Sequence, residues 1–128
     1  MALVVIDAGH GGTNPGAVYQ GRQEKRDVLA LALEVGRILE ESGVEVYYTR
    51  TADVYESPER RIQEGNAVQG DYFVSVHRNS SPYPGQYTGV EAFVYSRYGE
   101  AARLAGNINA RLELVGYENL GVHERPDV

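Results

Sequence analysis

Apolar positions along this chain fall into short β-branched runs that alternate with longer stretches of helical period. Residues 2–7, ALVVID, are a compact apolar run of the kind that forms a buried strand. A glycine-rich turn follows, with Gly9, Gly11 and Gly12 and then Asn14-Pro15-Gly16. From about 25 to 42, Val28, Leu31, Ala32, Val35, Ile38 and Leu39 recur at helical spacing, and Gly43 supplies a stop. VEVYYT at 44–49 predicts a second strand. Ser57-Pro58 predicts a second helix, with serine as N-cap and proline in its first turn. DYFVSVH at 71–77 reads as a third strand ending on a histidine. A loop with Pro82, Pro84 and Gly85 precedes a fourth strand at 89–95. Leu104, Ala105, Ile108, Leu112 and Val115 mark a last helix over about 97–115, and residues 116–128 read as a polar tail.

Strands alternating with helices predict an α/β fold, a three-layer sandwich whose central sheet is mostly parallel and flanked by helices. At 128 residues the chain fits one domain, able to bury roughly two-thirds of its unfolded surface. Hydrophobic residues at 42% and charged ones at 23% match an ordinary folded domain, which excludes disordered, collagen-like and coiled-coil classes. The net charge of −6 argues against nucleic acid as a partner, because phosphate binding needs a basic face. Absence of cysteine removes thiolate metal sites and cysteine nucleophiles. Ala2 to Ile6, the longest apolar stretch near the start, is too short to span a bilayer and lacks the flanks of a signal peptide. Neither a membrane nor a nucleic acid is therefore expected as a partner.

In open α/β sheets, ligands sit beyond the carboxyl ends of the strands. His10 follows the first strand there and His77 closes the third, while Glu24 stands between the glycine-rich turn and the first helix. Two histidines and a glutamate are a common protein ligand set for catalytic zinc, with water in the fourth position. Plainer readings stand beside this one. A histidine after a strand often serves only as a hydrogen-bonding residue, and Glu24 suits a helix start, where the dipole favours an anion. GHGGTNPG is neither a dinucleotide fingerprint nor a Walker loop.

Val5-Ile6-Asp7-Ala8-Gly9-His10-Gly11-Gly12 resembles the opening signature of the zinc-dependent N-acetylmuramoyl-L-alanine amidases, amidase type 3. Gly21-Arg22-Gln23-Glu24-Lys25 is similar to that family's second ligand segment, and Ser75-Val76-His77-Arg78-Asn79 to its third. Tyr48-Thr49-Arg50-Thr51 with Asp53, Arg61 with Gly65-Asn66, Gly89-Val90-Glu91 and Gly121-Val122 follow in the family's order. The resemblance implies a phosphorylase/hydrolase-like amidase fold and a Zn2+ held by His10, Glu24 and His77. It also implies hydrolysis of the amide between N-acetylmuramic acid and L-alanine in peptidoglycan, by a phage endolysin or a bacterial autolysin. The glycan strand with its stem peptide is then the partner and the bacterial cell wall the place of action. Export would rely on a holin, on lysis or on a removed leader.

Asp7 and Asn79 are assigned to orienting the ligands; for Asp7, a strand-end turn former is the competing role. Arg78 stands where the family carries a small residue. It is read either as a contact for an acidic stem-peptide group or as a solvated charge. Tyr83 and Tyr87 are candidates for packing on sugar or peptide, or for anchoring their loop. The family's general acid/base glutamate lies in a Val-Glu-x-Gly-Phe strand with no counterpart in these residues. Residues 1–128 are accordingly expected to be a single catalytic domain cut before the final strand and helix, which would self-associate or need a C-terminal piece. Glu91, in the fourth strand, is the one substitute for that glutamate, against a plain hydrogen-bonding role. His123 and Glu124 are expected to face solvent. An inactive zinc- or wall-binding module, or a zinc peptidase on the same sheet, remains the alternative function.

Overall fold

The computed structural model describes residues 2–78 and 89–125. The chain divides into two compact units, Met1–Ser80 and Ser81–Val128. The first contains β1 (Leu3–Ala8), a two-residue ribbon of β2 (Val18–Tyr19) and β3 (Arg22–Gln23), α1 (Glu24–Glu41), β4 (Glu45–Tyr48), α2 (Pro58–Ala67) and β5 (Tyr72–Val76). Its sheet has the order β4-β1-β5 with both pairings parallel, Ile6 lying opposite Tyr48 and Val74, and Ala8 opposite Val76. Three carboxyl ends therefore open at one edge of the sheet, where His10, Arg50 and His77 emerge.

The central strand is buried on both faces, which is why its sequence is continuously apolar rather than alternating. Ile6 and Ala8 pack on Val28 and Ala32 of α1. Val5 lies on the opposite face with Phe73, near Gly65 of α2, where an added Cβ would stand 2.9 Å from the Phe73 ring. One helix on each side of the sheet completes the three layers of an α/β sandwich. Among the described residues, no helix is long and apolar enough to cross a membrane.

Half of the predicted stripe on α1 faces outward. Val28 and Ala32 are buried, but Leu31, Val35 and Ile38 are exposed. The sheet-facing line runs instead through Lys25, Val28, Ala32 and Gly36. Gly36 belongs to it because a Cβ there would meet the Tyr48 hydroxyl at 1.9 Å. A stripe read from apolar side chains alone overlooks a glycine and a buried lysine. The second helix begins as expected: Ser57 is its N-cap and accepts the Arg60 N–H, with proline next in line.

The second unit is a parallel β-α-β: β6 (Val90–Val94), α3 (Glu100–Leu114) and β7 (Asn119–Glu124). Here the sequence reading needs correction, because residues 119–124 are a strand and not a polar tail. NLGVHE offers little alternation, and Gly121 sits at φ 96°. The strand is held by its ladder to β6 and by the buried Asn109, whose amide donates to the Gly121 carbonyl at 3.0 Å.

One polar cluster lies inside the first unit. Asp7 Oδ1 accepts from Arg61 Nη1 at 2.9 Å and from Thr49 Oγ1 at 2.6 Å, while Oδ2 accepts from Ser75 Oγ at 2.7 Å. Asp7 and Arg61 are 5% and 4% exposed, so neither charge has water as a substitute partner. An Arg61→Met variant removes the counter-charge bonded to Asp7 and is expected to lose about 3–5 kcal/mol in denaturant melts, the scale for breaking a buried pair from one side. A loss below about 1 kcal/mol would demote the pair to the worth of a surface contact.

Candidate metal centre

The turn after β1 is built to let three side chains approach one another. Gly9 continues the sheet, its N–H donating to the Val76 carbonyl at 3.1 Å. A Cβ at Gly9 would stand 2.3 Å from His77 Cε1, and one at Gly16 would stand 2.6 Å from His10 Cδ2 and 2.7 Å from Glu24 Oε1. Gly11 and Asn14 exchange backbone hydrogen bonds at 2.8 and 2.9 Å, closing the turn between the first ligand and the helix. His10 takes a left-handed backbone conformation, φ 65°, which for a side-chain-bearing residue costs on the order of 1 kcal/mol.

Two arginines and a lysine hold that turn by its carbonyl groups. Arg61 donates to the carbonyls of Ala8 and His10, each at 2.6 Å, and to that of Glu56 at 2.8 Å. Arg50 donates to Ala8 at 3.0 Å, Gly9 at 2.9 Å and Lys25 at 2.9 Å. Lys25 Nζ donates to the Gly12 carbonyl at 2.8 Å and pairs with Asp53 at 2.9 Å. The Lys25 ammonium and the Gly12 N–H hold the Asp53 carboxyl below its ordinary range.

Within this frame His10, Glu24 and His77 each present one donor atom, all within 4.8 Å of one another. Glu24 Oε2 lies 3.1 Å from His10 Nε2 and 3.1 Å from His77 Nδ1. Burial pushes the Glu24 carboxyl upward, but N–H donation from Ala17 and Arg78, the charge of His10 and the bond to His77 outweigh it and leave the group lowered. Glu24 is thereby held as a carboxylate. Ala17 N–H donates to Oε1 at 2.9 Å and Arg78 N–H to Oε2 at 2.9 Å.

The tautomer of His10 follows from its neighbour. Asn14 Oδ1 accepts the Gly16 N–H at 3.1 Å, so that atom is an acceptor, and the His10 Nδ1 lying 3.1 Å from it carries the proton. His10 Nε2 is then the ring atom that faces the Glu24 carboxylate. A proton or a metal ion between Nε2 and Oε2 satisfies both atoms. Ligands about 2.0–2.2 Å from a tetrahedral ion stand roughly 3.3–3.6 Å apart, near the two 3.1 Å separations from Glu24 Oε2. Two imidazole nitrogens and one carboxylate thus form a group able to hold a metal ion.

The remaining candidates are placed as follows. Asp7 does not touch the three donors and acts on their turn through Arg61. Arg78 is part-buried; its guanidinium pairs with Asp27 and reaches the carbonyls of Ala17 and Arg22 at 3.4 and 3.3 Å. Glu91 lies on β6 in the second unit, with His123 Nε2 3.2 Å from its carboxylate. Asn79, Tyr83 and Tyr87 lie outside the described residues. Asn14 escaped the sequence reading, although its place four residues after a histidine and two before a glycine was a usable signal. Arg50 and Arg61 were noted there as motif letters without a role.

The model of the family described as N-acetylmuramoyl-L-alanine amidase matches residues 4–126. The chain belongs to this family. It is 41% identical over 101 residues to the sporulation-specific N-acetylmuramoyl-L-alanine amidase of Bacillus subtilis, covering 77% of this chain and 38% of that protein. The endolysin of Bacillus phage SPP1 is 43% identical over 81 residues, covering 62% of this chain and 30% of the endolysin. Among solved structures, the amidase AmiC2 of Nostoc punctiforme superposes with a TM-score of 0.87 at 33% identity, over 97% of this chain and 69% of that one. The chain thus spans less than half the length of these two curated relatives.

Membership in the amidase family makes the metal group testable residue by residue. Asn14→Ala frees the His10 tautomer and is expected to weaken zinc binding about 10- to 100-fold, the usual effect of removing a ligand's outer partner. His77→Ala should abolish stoichiometric binding outright. Both are read by competition against a chromophoric chelator; zinc content unchanged in His77→Ala would remove that residue from the site.

Proposed function

We propose that this domain is a zinc-dependent hydrolase of bacterial peptidoglycan that cleaves the amide between N-acetylmuramic acid and L-alanine. The observation that carries the reading is the convergence of His10 Nε2, Glu24 Oε2 and His77 Nδ1 in a chain of the amidase family. Zinc held by those atoms would supply Lewis acidity at the scissile carbonyl and a water acidified to a pKa of about 7.

The chain's own residues contribute position and charge. Asn14 Oδ1 accepts from His10 Nδ1 and so leaves Nε2 as the ring atom to offer to a metal. The N–H groups of Ala17 and Arg78 fix both oxygens of Glu24 and keep it ionised. Gly9 and Gly16 leave the space the imidazoles occupy. With two neutral ligands and one anionic ligand, a dication would retain a net positive charge toward substrate. We read residues 1–128 as one catalytic domain acting at the cell wall, with glycan strand and stem peptide as its partner.

Purified wall digested with the zinc-loaded chain should yield free L-alanine amino groups together with muramic acid lactyl carboxyls, in equal amounts. Chelation should stop product formation and zinc should restore it. New amino groups from residues further along the stem, with no lactyl carboxyls, would make the protein a peptidase instead.

A further inference from the structure

Glu24 owes its setting to two segments distant in sequence, and one side chain ties them together. Ala17, just before β2, meets Glu24 twice: its carbonyl accepts the Glu24 N–H at 2.8 Å, and its N–H donates to Oε1 at 2.9 Å. Oε2 takes the N–H of Arg78 at 2.9 Å, from the segment that follows β5. Arg78 then turns its guanidinium back over the ribbon. Nη1 pairs with Asp27, one turn along α1 from Glu24, and Nη2 reaches the carbonyls of Ala17 and Arg22 at 3.4 and 3.3 Å. These contacts close a ring that runs from the Glu24 carboxylate to the Arg78 N–H and guanidinium, then to the Ala17 carbonyl and back through the Ala17 N–H. Asp27 also pairs with Arg22 Nη2 at 3.1 Å, so one carboxylate meets the ribbon, the helix and the segment of the third ligand.

We propose that Arg78, anchored by Asp27, is a positioning residue for Glu24: it clasps the ribbon to the end of β5 and so presets the carboxylate between His10 and His77 before a metal arrives. This rests on the reading of His10, Glu24 and His77 as metal ligands. The Asp27 and Arg78 side chains are 32% and 28% exposed, and an ion pair so placed adds little to overall stability. Its value is geometric. A guanidinium carries its donors in a rigid planar fork, and this one spans a carboxylate on a helix and two carbonyls on a ribbon. Glu24 keeps an N–H donor on each oxygen only while the ribbon and the end of β5 hold their places. A small side chain at position 78 would retain the N–H to Glu24 and lose every other link of the ring. Partners that orient a ligand from behind change metal affinity about 10- to 100-fold, and the Arg78 side chain, one contact further out, belongs at the lower end.

The test measures zinc affinity of the full chain by chelator competition, and amide exchange of the zinc-free chain by NMR. Arg78→Ala is expected to bind zinc about tenfold more weakly and to lose exchange protection at the Ala17 N–H, with the β1 and β5 amides unchanged. Arg78→Lys keeps the charge beside Asp27 but not the fork, and should fall between the two. Asp27→Ala leaves Arg78 in place and should move both readouts the same way. Adding it to Arg78→Ala should cost nothing further, because the two side chains act as one unit. Arg37→Ala removes another exposed pairing on α1, with Glu34 and Glu41, and should move neither readout. Zinc affinity in Arg78→Ala within about twofold of the parent chain, or an Ala17 amide as protected as before, overturns the clasp. A parent chain that takes up no zinc, with Ala17 protection still lost in Arg78→Ala, instead overturns the metal reading and keeps the clasp on Glu24.

Discussion

The Asp7–Arg61 pair is the constraint on which the site depends. A buried ion pair is seldom a net source of stability, since desolvation of both groups offsets their attraction. Its use here is geometric. Asp7 fixes the guanidinium at the end of β1, and Arg61 spends its remaining donors on the carbonyls of Ala8, His10 and Glu56. Arg50 repeats the arrangement from the end of β4, on the carbonyls of Ala8, Gly9, Ala52 and Lys25. A turn that leaves a sheet has carbonyl groups with no ladder to accept from, and these cations supply the missing donors.

That grip explains how His10 can remain in a left-handed conformation. The strain is small beside the bonds that over-determine the turn, and a residue without a side chain at this point could not be a ligand. Neighbouring positions with the same backbone sign, Gly11, Gly12 and Gly16, are glycines, as sterics prefer. Histidine is the exception because its side chain is needed. The strain therefore lies at the residue whose ring must turn toward Glu24.

Much of this was legible in the sequence. The three strands of the parallel sheet in the first unit and the Ser57-Pro58 helix start followed from apolar runs and turn chemistry; the rule about strand ends brought out His10 and His77 beside plainer readings, and the family resemblance grouped them with Glu24. The unreadable parts share a physical cause: they rest on backbone or on residues without apolar weight. Gly36 governs how α1 meets Tyr48, yet adds nothing to a hydrophobic stripe. β7 lacks alternation and is held by its ladder and by Asn109. Asn14 acts through one oxygen that accepts from two donors, which no spacing rule encodes.

Charge placement around Glu24 completes the argument. Arg50 and Arg61 surround the turn, yet neither is bonded to Glu24, because their donors are directed to carbonyl oxygens and to Asp7. Lys25, the residue after Glu24, is drawn off toward Asp53 and Gly12. Glu24 is instead stabilised by two uncharged backbone N–H groups and by its place in the first turn of α1, where the helix dipole favours an anion. A cationic side chain bonded to Glu24 would compete directly with a metal for the same oxygens. By holding the carboxylate with backbone N–H groups, and with no lysine or arginine side chain bonded to it among the described residues, the fold leaves Glu24 ionised and available.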